Sequence, residues 1–420
     1  MELKQKYRVN GGKKVFGELT VPASKNAILP IMAGALIVKG TTILKNCPYI
    51  TDIDNMLILL DEVGAKVERE DRDIVIDSTN VECGNLNKDV CAKFRSSIFM
   101  MGAMLSRCRL AKVYLPGGCA IGSRGIDLHL DALRKMGVVV REEDDFVFCD
   151  GTNMRSADIY LKFPSVGATE NIMMASVLVR GTTTIANAAC EPEIVDLANF
   201  LNACGARIEG AGTSFVSITG VRKLHTTQYE AIPDRIVAGS YLAFCAINNG
   251  KIRLNNVHPN DLKEPLNVLN QMGCEILTVK NSIKLHAPNR LKSVNRIRTN
   301  PYPDFPTDLQ SIFMSLLALS DGKGIIEENV FENRFHNASQ INNIGGKVEI
   351  IGSNAIIQGV QKLKAGVLEG KDLRGTMGLL VLASAINGVS ILSGVQYVER
   401  GYEDLEDNLA KIGVDIVRVR

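Results

Sequence analysis

Six times along the chain a hydrophobic–glycine pair closes an amphipathic segment: Val63-Gly64, Met136-Gly137, Cys204-Gly205, Met272-Gly273, Ile344-Gly345 and Ile412-Gly413. The intervals between the glycines are 73, 68, 68, 72 and 68 residues, close to one sixth of the 420-residue chain. A period this regular implies a unit of architecture built six times. Each glycine follows a helical pattern such as LLDEVG or LNQMG, where a left-handed C-terminal cap is expected. Alternating strands such as AKVERE and VSITG come next, with a period of two.

Each repeat also predicts a second helix of a different kind: 24–38, 94–106, 165–179, 234–247, 307–319 and 373–386. These segments are apolar nearly all round and rich in Ala, Gly and Met, as interior helices are. Each opens on polar residues: Lys25-Asn26, Arg95, Ser165, Asp234-Arg235, Thr307-Asp308 and Arg374. Helix starts carry unpaired N–H groups and attract anions. Ser165 and Thr307 taken singly read as ordinary caps. Lys25 and Arg95 do not, because a cation at a helix start needs an anion nearby.

Composition narrows the class. The length predicts two domains. With 48 basic and 46 acidic residues, no bulk charge favours nucleic acid or a membrane surface. The opening MELKQKYRVNGG has no apolar signal region, and no apolar run approaches transmembrane length. Ten scattered cysteines without paired short spacings predict neither a zinc site nor disulfides, but free thiols in a reducing cytoplasm.

One cysteine stands apart. LPGGCAIGSR (115–124) displays Cys119 on a glycine-rich loop five residues before Arg124. A thiol in that positive field loses its proton more easily. The pair reads as a reactive sulfur beside an anion site, with a small apolar turn residue as the plainer alternative. Cys47 and Cys190 lie in equivalent loops without the double glycine.

SKNA (24–27), LPGGCAIGSR, SVGAT (165–169), EPEIVD (191–196), FPTD (305–308), FENRF (331–335), DLR (372–374) and ERGYE (399–403) together resemble the bacterial UDP-N-acetylglucosamine enolpyruvyl transferases. The resemblance spans the chain, block by block in order. It implies an α/β fold (α+β): a two-domain inside-out α/β barrel of six ~70-residue repeats, three per domain. The implied domains are 25–232, carrying the Cys119 lid loop, and 1–24 with 233–420, with the active site in the cleft between them. The implied reaction moves the enolpyruvyl group of phosphoenolpyruvate to the sugar 3-hydroxyl and releases phosphate, without metal or cofactor. The expected partners are these two small molecules alone.

The resemblance also assigns residues. Cys119 is similar to the family's general acid and adduct-forming thiol, and Asp308 to the carboxylate at the sugar hydroxyl, as base or positioner. Lys25, Asn26, Arg124 and Arg400 match phosphoenolpyruvate contacts. Arg95, Gly125, Ile126, Asp127, Leu128, Ser165, Val166, Gly167 and Val330 match UDP-sugar contacts. Arg334, Arg374, Glu191 and His129 complete the candidate cleft, the two arginines reading equally as structural ion pairs. Gly125 replaces the family's usual proline, and Phe163-Pro164 stands where many members have a lysine, with Lys162 one residue away. A shikimate-type acceptor and a non-catalytic binding paralogue remain as alternatives.

Overall fold

The computed structural model describes residues 5–115 and 125–420. Among these, one compact unit runs from Ala23 to Ile232, and another joins the residues up to Pro22 to those from Pro233 onward. Cys119 and Arg124 lie outside the described residues.

The six glycines behave alike. Gly64, Gly137, Gly205, Gly273, Gly345 and Gly413 all have φ between +83° and +101°, a region open to glycine at little cost. Each glycine N–H bonds back to the carbonyl three residues earlier, as in Gly64 N to Asp61 O (2.9 Å), and the next N–H reaches five back, as in Ala65 N to Leu60 O (3.1 Å). This pair of bonds is the Schellman closure of a helix C-terminus. It recurs at all six positions, so the repeat is a conformational fact as well as a spacing.

The apolar helices form close to where the sequence puts them: Lys25–Ala35, Phe99–Cys108, Val166–Ser176, Arg235–Ile247, Gln310–Leu319 and Leu373–Ala385. Two begin later than expected, because Arg95–Ile98 and Thr307–Leu309 are single 3-10 turns leading into the helix. Burial is nearly total: every residue of Arg235–Ile247 is buried, and in Lys25–Ala35 only Asn26 is not. Burying one Leu, Ile or Met side chain stabilises by about 1.5–3 kcal/mol, so these helices dominate the cohesion of each unit. In the second unit Arg235–Ile247, Gln310–Leu319 and Leu373–Ala385 pack on one another. In the first, Phe99–Cys108 packs on both Lys25–Ala35 and Val166–Ser176.

Three sheets clothe each set of helices. Their strands bury alternate residues, as in Thr182–Ala186, so one face meets the helices and the other meets water. In five sheets the strand leaving the inner helix is antiparallel to one strand of a following hairpin, and in the sixth Gly388–Ser393 is antiparallel to the N-terminal strand instead; in five sheets it is also parallel to an edge strand. The N-terminal segment completes two sheets of the second unit. Lys6–Gly11 lies between Gly388–Ser393 and Asp415–Val419, with Val9 opposite both Ser390 and Ile416. Phe16–Thr20 runs parallel to Lys251–Asn255.

The cysteine expectation needs correcting. Cys83 and Cys108, 25 positions apart in sequence, form a disulfide with Cα atoms 6.2 Å apart. No short spacing announces it, because the end of the Phe99–Cys108 helix is folded back beside the 78–87 segment. The seven other described cysteines are free thiols. Among the described residues, no helix is long and apolar enough to cross a membrane.

A cross-link closing a loop of this length stabilises by about 3 kcal/mol, chiefly by restricting the unfolded chain. Scanning calorimetry of the reduced protein, or of Cys83→Ser, should show a melting transition lowered accordingly. An unchanged transition would mean the bond contributes nothing.

Candidate functional site

The polar residues at the helix starts fall into two groups, one in each unit. In the first unit Lys25 opens its helix with its side chain buried and its Nζ 2.8 Å from Asp52. Both side chains are nearly out of water, which satisfies the requirement that a cation at a helix start keep an anion close. Ser165 does cap its helix, its Oγ accepting from Ala168 N at 3.3 Å. Arg95 Nη2 donates to Gly125 O (3.2 Å), tying the 3-10 turn to the segment Gly125–Leu128 that enters the Asp127–Lys135 helix.

His129 on that helix is 3% exposed and belongs to a network that fixes its tautomer. Asn171 Oδ1 accepts from Gly102 N (2.8 Å), so its amide nitrogen faces Ile98 O (3.1 Å) and His129 Nδ1 (2.9 Å). Nδ1 therefore accepts, and the imidazole proton sits on Nε2. That edge of the ring faces Gly167, where an added Cβ would come within 3.4 Å of Nε2. Arg95, Gly125, His129 and Gly167 are thus brought together. Burial, reinforced by Arg95, pushes the His129 pKa down to about 3. Nearby acids take the opposite course. Glu170, which sequence reasoning missed, is fully buried with both carboxylate oxygens lacking a hydrogen-bond partner. Burial, then Glu193 and Glu191, raise its pKa well above the usual range. Its only sequence signal is a carboxylate inside an otherwise apolar helix.

In the second unit Asp308 is gripped at both oxygens. Arg334 Nη2 donates to Oδ1 (2.8 Å), and Arg374 Nε and Nη2 to Oδ2 (3.1 and 3.0 Å). Both arginines are 4% exposed. Burial opposes the Arg374 charge, but Asp308 and Tyr402 outweigh it and leave its pKa raised. Arg374 Nη1 also donates to Tyr402 Oη (3.2 Å), which lies 2.7 Å from Ser240 Oγ. Thr307 is not a cap; its hydroxyl bonds Glu328 and accepts from Arg334. The two arginines are therefore ion pairs, and their partner is the candidate carboxylate itself. Arg400 is half-buried just past the Val395–Val398 turn.

Of the candidate thiols, those described are poor nucleophiles. Burial pushes Cys47, Cys149, Cys204 and Cys274 up to about 12 and Cys91 to about 11, and raises Cys190 and Cys245 as well. A thiol so shifted is almost wholly protonated near neutral pH. Among the described residues no group of three or more His, Cys, Asp or Glu is gathered to hold a metal.

The family model for EPSP synthase (3-phosphoshikimate 1-carboxyvinyltransferase) matches residues 9–409. The chain belongs to that family. Curated relatives refine the placement. The chain is 43% identical over 414 residues to UDP-N-acetylglucosamine 1-carboxyvinyltransferase 2 of Caldanaerobacter subterraneus subsp. tengcongensis, covering 99% of each. It is 38% identical over 415 residues to the UDP-N-acetylglucosamine 1-carboxyvinyltransferase of Geobacter metallireducens, again covering 99% of each. Among solved structures, the enolpyruvyl transferase NikO from Streptomyces tendae superposes with a TM-score of 0.88 at 22% identity, with 99% of each chain covered. EPSP synthase from Acinetobacter baumannii gives 0.77 at 17%, covering 99% of this chain and 100% of that one. These two likenesses show the fold, in agreement with the α/β repeats described above.

Two outcomes follow from this geometry. A histidine neutral when folded and protonated when unfolded costs stability as pH falls below its unfolded pKa of about 6.5, at about 1.4 kcal/mol per unit until pH nears 3. Urea titrations from pH 7 to 4.5 read this as a difference: the stability of the parent relative to His129→Gln should fall with that slope as pH is lowered, because Glu170 and the other titrating groups act alike on both proteins. Removing Asp308 leaves two buried guanidinium groups facing each other, so Asp308→Ala should destabilise by about 3 kcal/mol. Equal melting of that variant and the parent would contradict the grip.

Proposed function

We propose that this protein transfers the enolpyruvyl group of phosphoenolpyruvate to the 3-hydroxyl of UDP-N-acetylglucosamine, releasing phosphate and opening peptidoglycan synthesis. The observation that carries this reading is full-length identity of 38–43% to enzymes named for that acceptor. The EPSP synthase structure resembles the chain at 17% identity and therefore speaks for fold alone.

The proposed chemistry is addition followed by elimination. The sugar oxygen bonds to C2 of phosphoenolpyruvate while C3 gains a proton, giving a tetrahedral phosphate ether. Loss of a C3 proton then re-forms the double bond, and the C2–O bond to phosphate breaks. Cys119 supplies the first proton; in the covalent adduct its thiolate bonds to C2 of the protonated phosphoenolpyruvate, and that C–S bond breaks to release the thiolate before the sugar oxygen takes its place. Asp308 meets the sugar hydroxyl. With both its oxygens held by arginines, its direction is strictly fixed, which suits it to act on that hydroxyl as base or positioner. Lys25, Asn26, Arg124 and Arg400 hold the phosphate and carboxylate, whose combined charge calls for several cations. Arg95, Gly125–Leu128, the helix start at Ser165–Gly167 and Val330 take the UDP-sugar, the helix start suiting its diphosphate.

The test is phosphate release from phosphoenolpyruvate with UDP-N-acetylglucosamine, shikimate-3-phosphate or no acceptor. Release only with the UDP-sugar is expected. Release with shikimate-3-phosphate alone would reassign the acceptor, and release with neither would favour a binding paralogue. Cys119→Ala should abolish turnover and block alkylation by an epoxide phosphonate such as fosfomycin. Alkylation persisting at another cysteine would remove Cys119 from its role.

A further inference from the structure

Asp308 owes its direction to groups farther from the chemistry. Arg334 gives one N–H to Asp308 and another to the Thr307 hydroxyl (Nη1–Oγ1, 2.7 Å). Arginine has donors only, so Thr307 accepts there and must send its single proton elsewhere. It goes to Glu328, whose Oε1 and Oε2 lie 3.0 and 2.9 Å away. Glu328 is 4% exposed, and its Oε1 also accepts from Val330 N (2.9 Å) and Phe331 N (3.0 Å). One buried carboxylate thus fastens the Val330 segment on one side and the Thr307–Arg334–Asp308 chain on the other.

We propose that Glu328 is a positioning residue for the transfer reaction, aiming the Asp308 carboxylate through Thr307 and Arg334 and holding it in register with the Val330 segment. This rests on the reading of Asp308 given above. A hydroxyl between two charged groups passes orientation in one sense only: the carboxylate fixes the proton of Thr307, and that fixes the lone pair offered to Arg334. Other charged and titratable groups near Asp308 include Arg374 on the Leu373–Ala385 helix, Tyr402 bonded to it, and Asp234, which acts on Arg374 from the start of the Arg235–Ile247 helix.

Glu328→Gln tests the proposal. The amide keeps the shape and one acceptor but removes the charge and places a donor against Thr307. Asp308 is then left in a more positive frame and becomes a weaker base. We expect kcat to fall about tenfold to a hundredfold, as misplacement of a reacting group does. The Michaelis constant for phosphoenolpyruvate should change much less, and the acid limb of kcat/KM should move to lower pH. Thr307→Val should reproduce the loss and Thr307→Ser should restore activity, and this pair decides the matter if Glu328→Gln does not fold. A parental kcat and acid limb in folded Glu328→Gln, or equal activity of the two Thr307 variants, would overturn the proposal. Asp308→Asn separates the two readings. If it is inactive while Glu328→Gln is normal, only the role of Glu328 fails; if it is fully active, the reading of Asp308 fails as well.

Discussion

A helix without a wet face must be surrounded, and six of them in one chain dictate nearly everything else. Each unit can bury its three inner helices only by wrapping them with sheets that turn one face inward, and three sheets per unit do so. The same constraint keeps most charged groups out of the helix bodies, Glu170 being an exception, and gathers several at the starts. There the unpaired N–H groups give the polar residues something to do.

Charges held there are matched locally. Lys25 is closed by Asp52, and Asp308 by Arg334 and Arg374, all among buried or largely buried side chains. Such pairs contribute little net stability against the cost of dehydrating both ions, but they are severe about geometry, because losing one partner strands the other. His129 and Glu170 are instead kept neutral by burial. Their effects on stability run in opposite senses with pH. The histidine weakens the fold in acid, and the glutamate, ionised more readily when unfolded, weakens it as pH rises through its unfolded pKa.

Much of this was legible in the order of residues. The six hydrophobic–glycine pairs gave the period, and every one proved to be a left-handed helix closure. Local rules reached that far because a Schellman motif is written within six residues. They failed where partners are distant in sequence. The Cys83–Cys108 bond, the Asn171 bridge between Gly102 and His129, and the tie from Glu328 to Thr307 join residues 25, 69, 42 and 21 positions apart. Thr307 shows the difference well, since its position before a helix suggested a cap and its hydroxyl serves Glu328 and Arg334 instead. Cys119 and Arg124, read from their glycine-rich loop as a reactive sulfur beside an anion site and given their roles by resemblance, lie outside the described residues.

The central claim is that transfer proceeds by addition and elimination, with C3 of phosphoenolpyruvate passing through a methyl group. Running the reaction with UDP-N-acetylglucosamine in deuterium oxide and examining the product by proton NMR tests it directly. The account predicts deuterium in the enolpyruvyl methylene, because C3 gains a solvent-derived proton and then loses one of three. A product whose methylene carries no deuterium would mean direct displacement of phosphate at C2 and would contradict it.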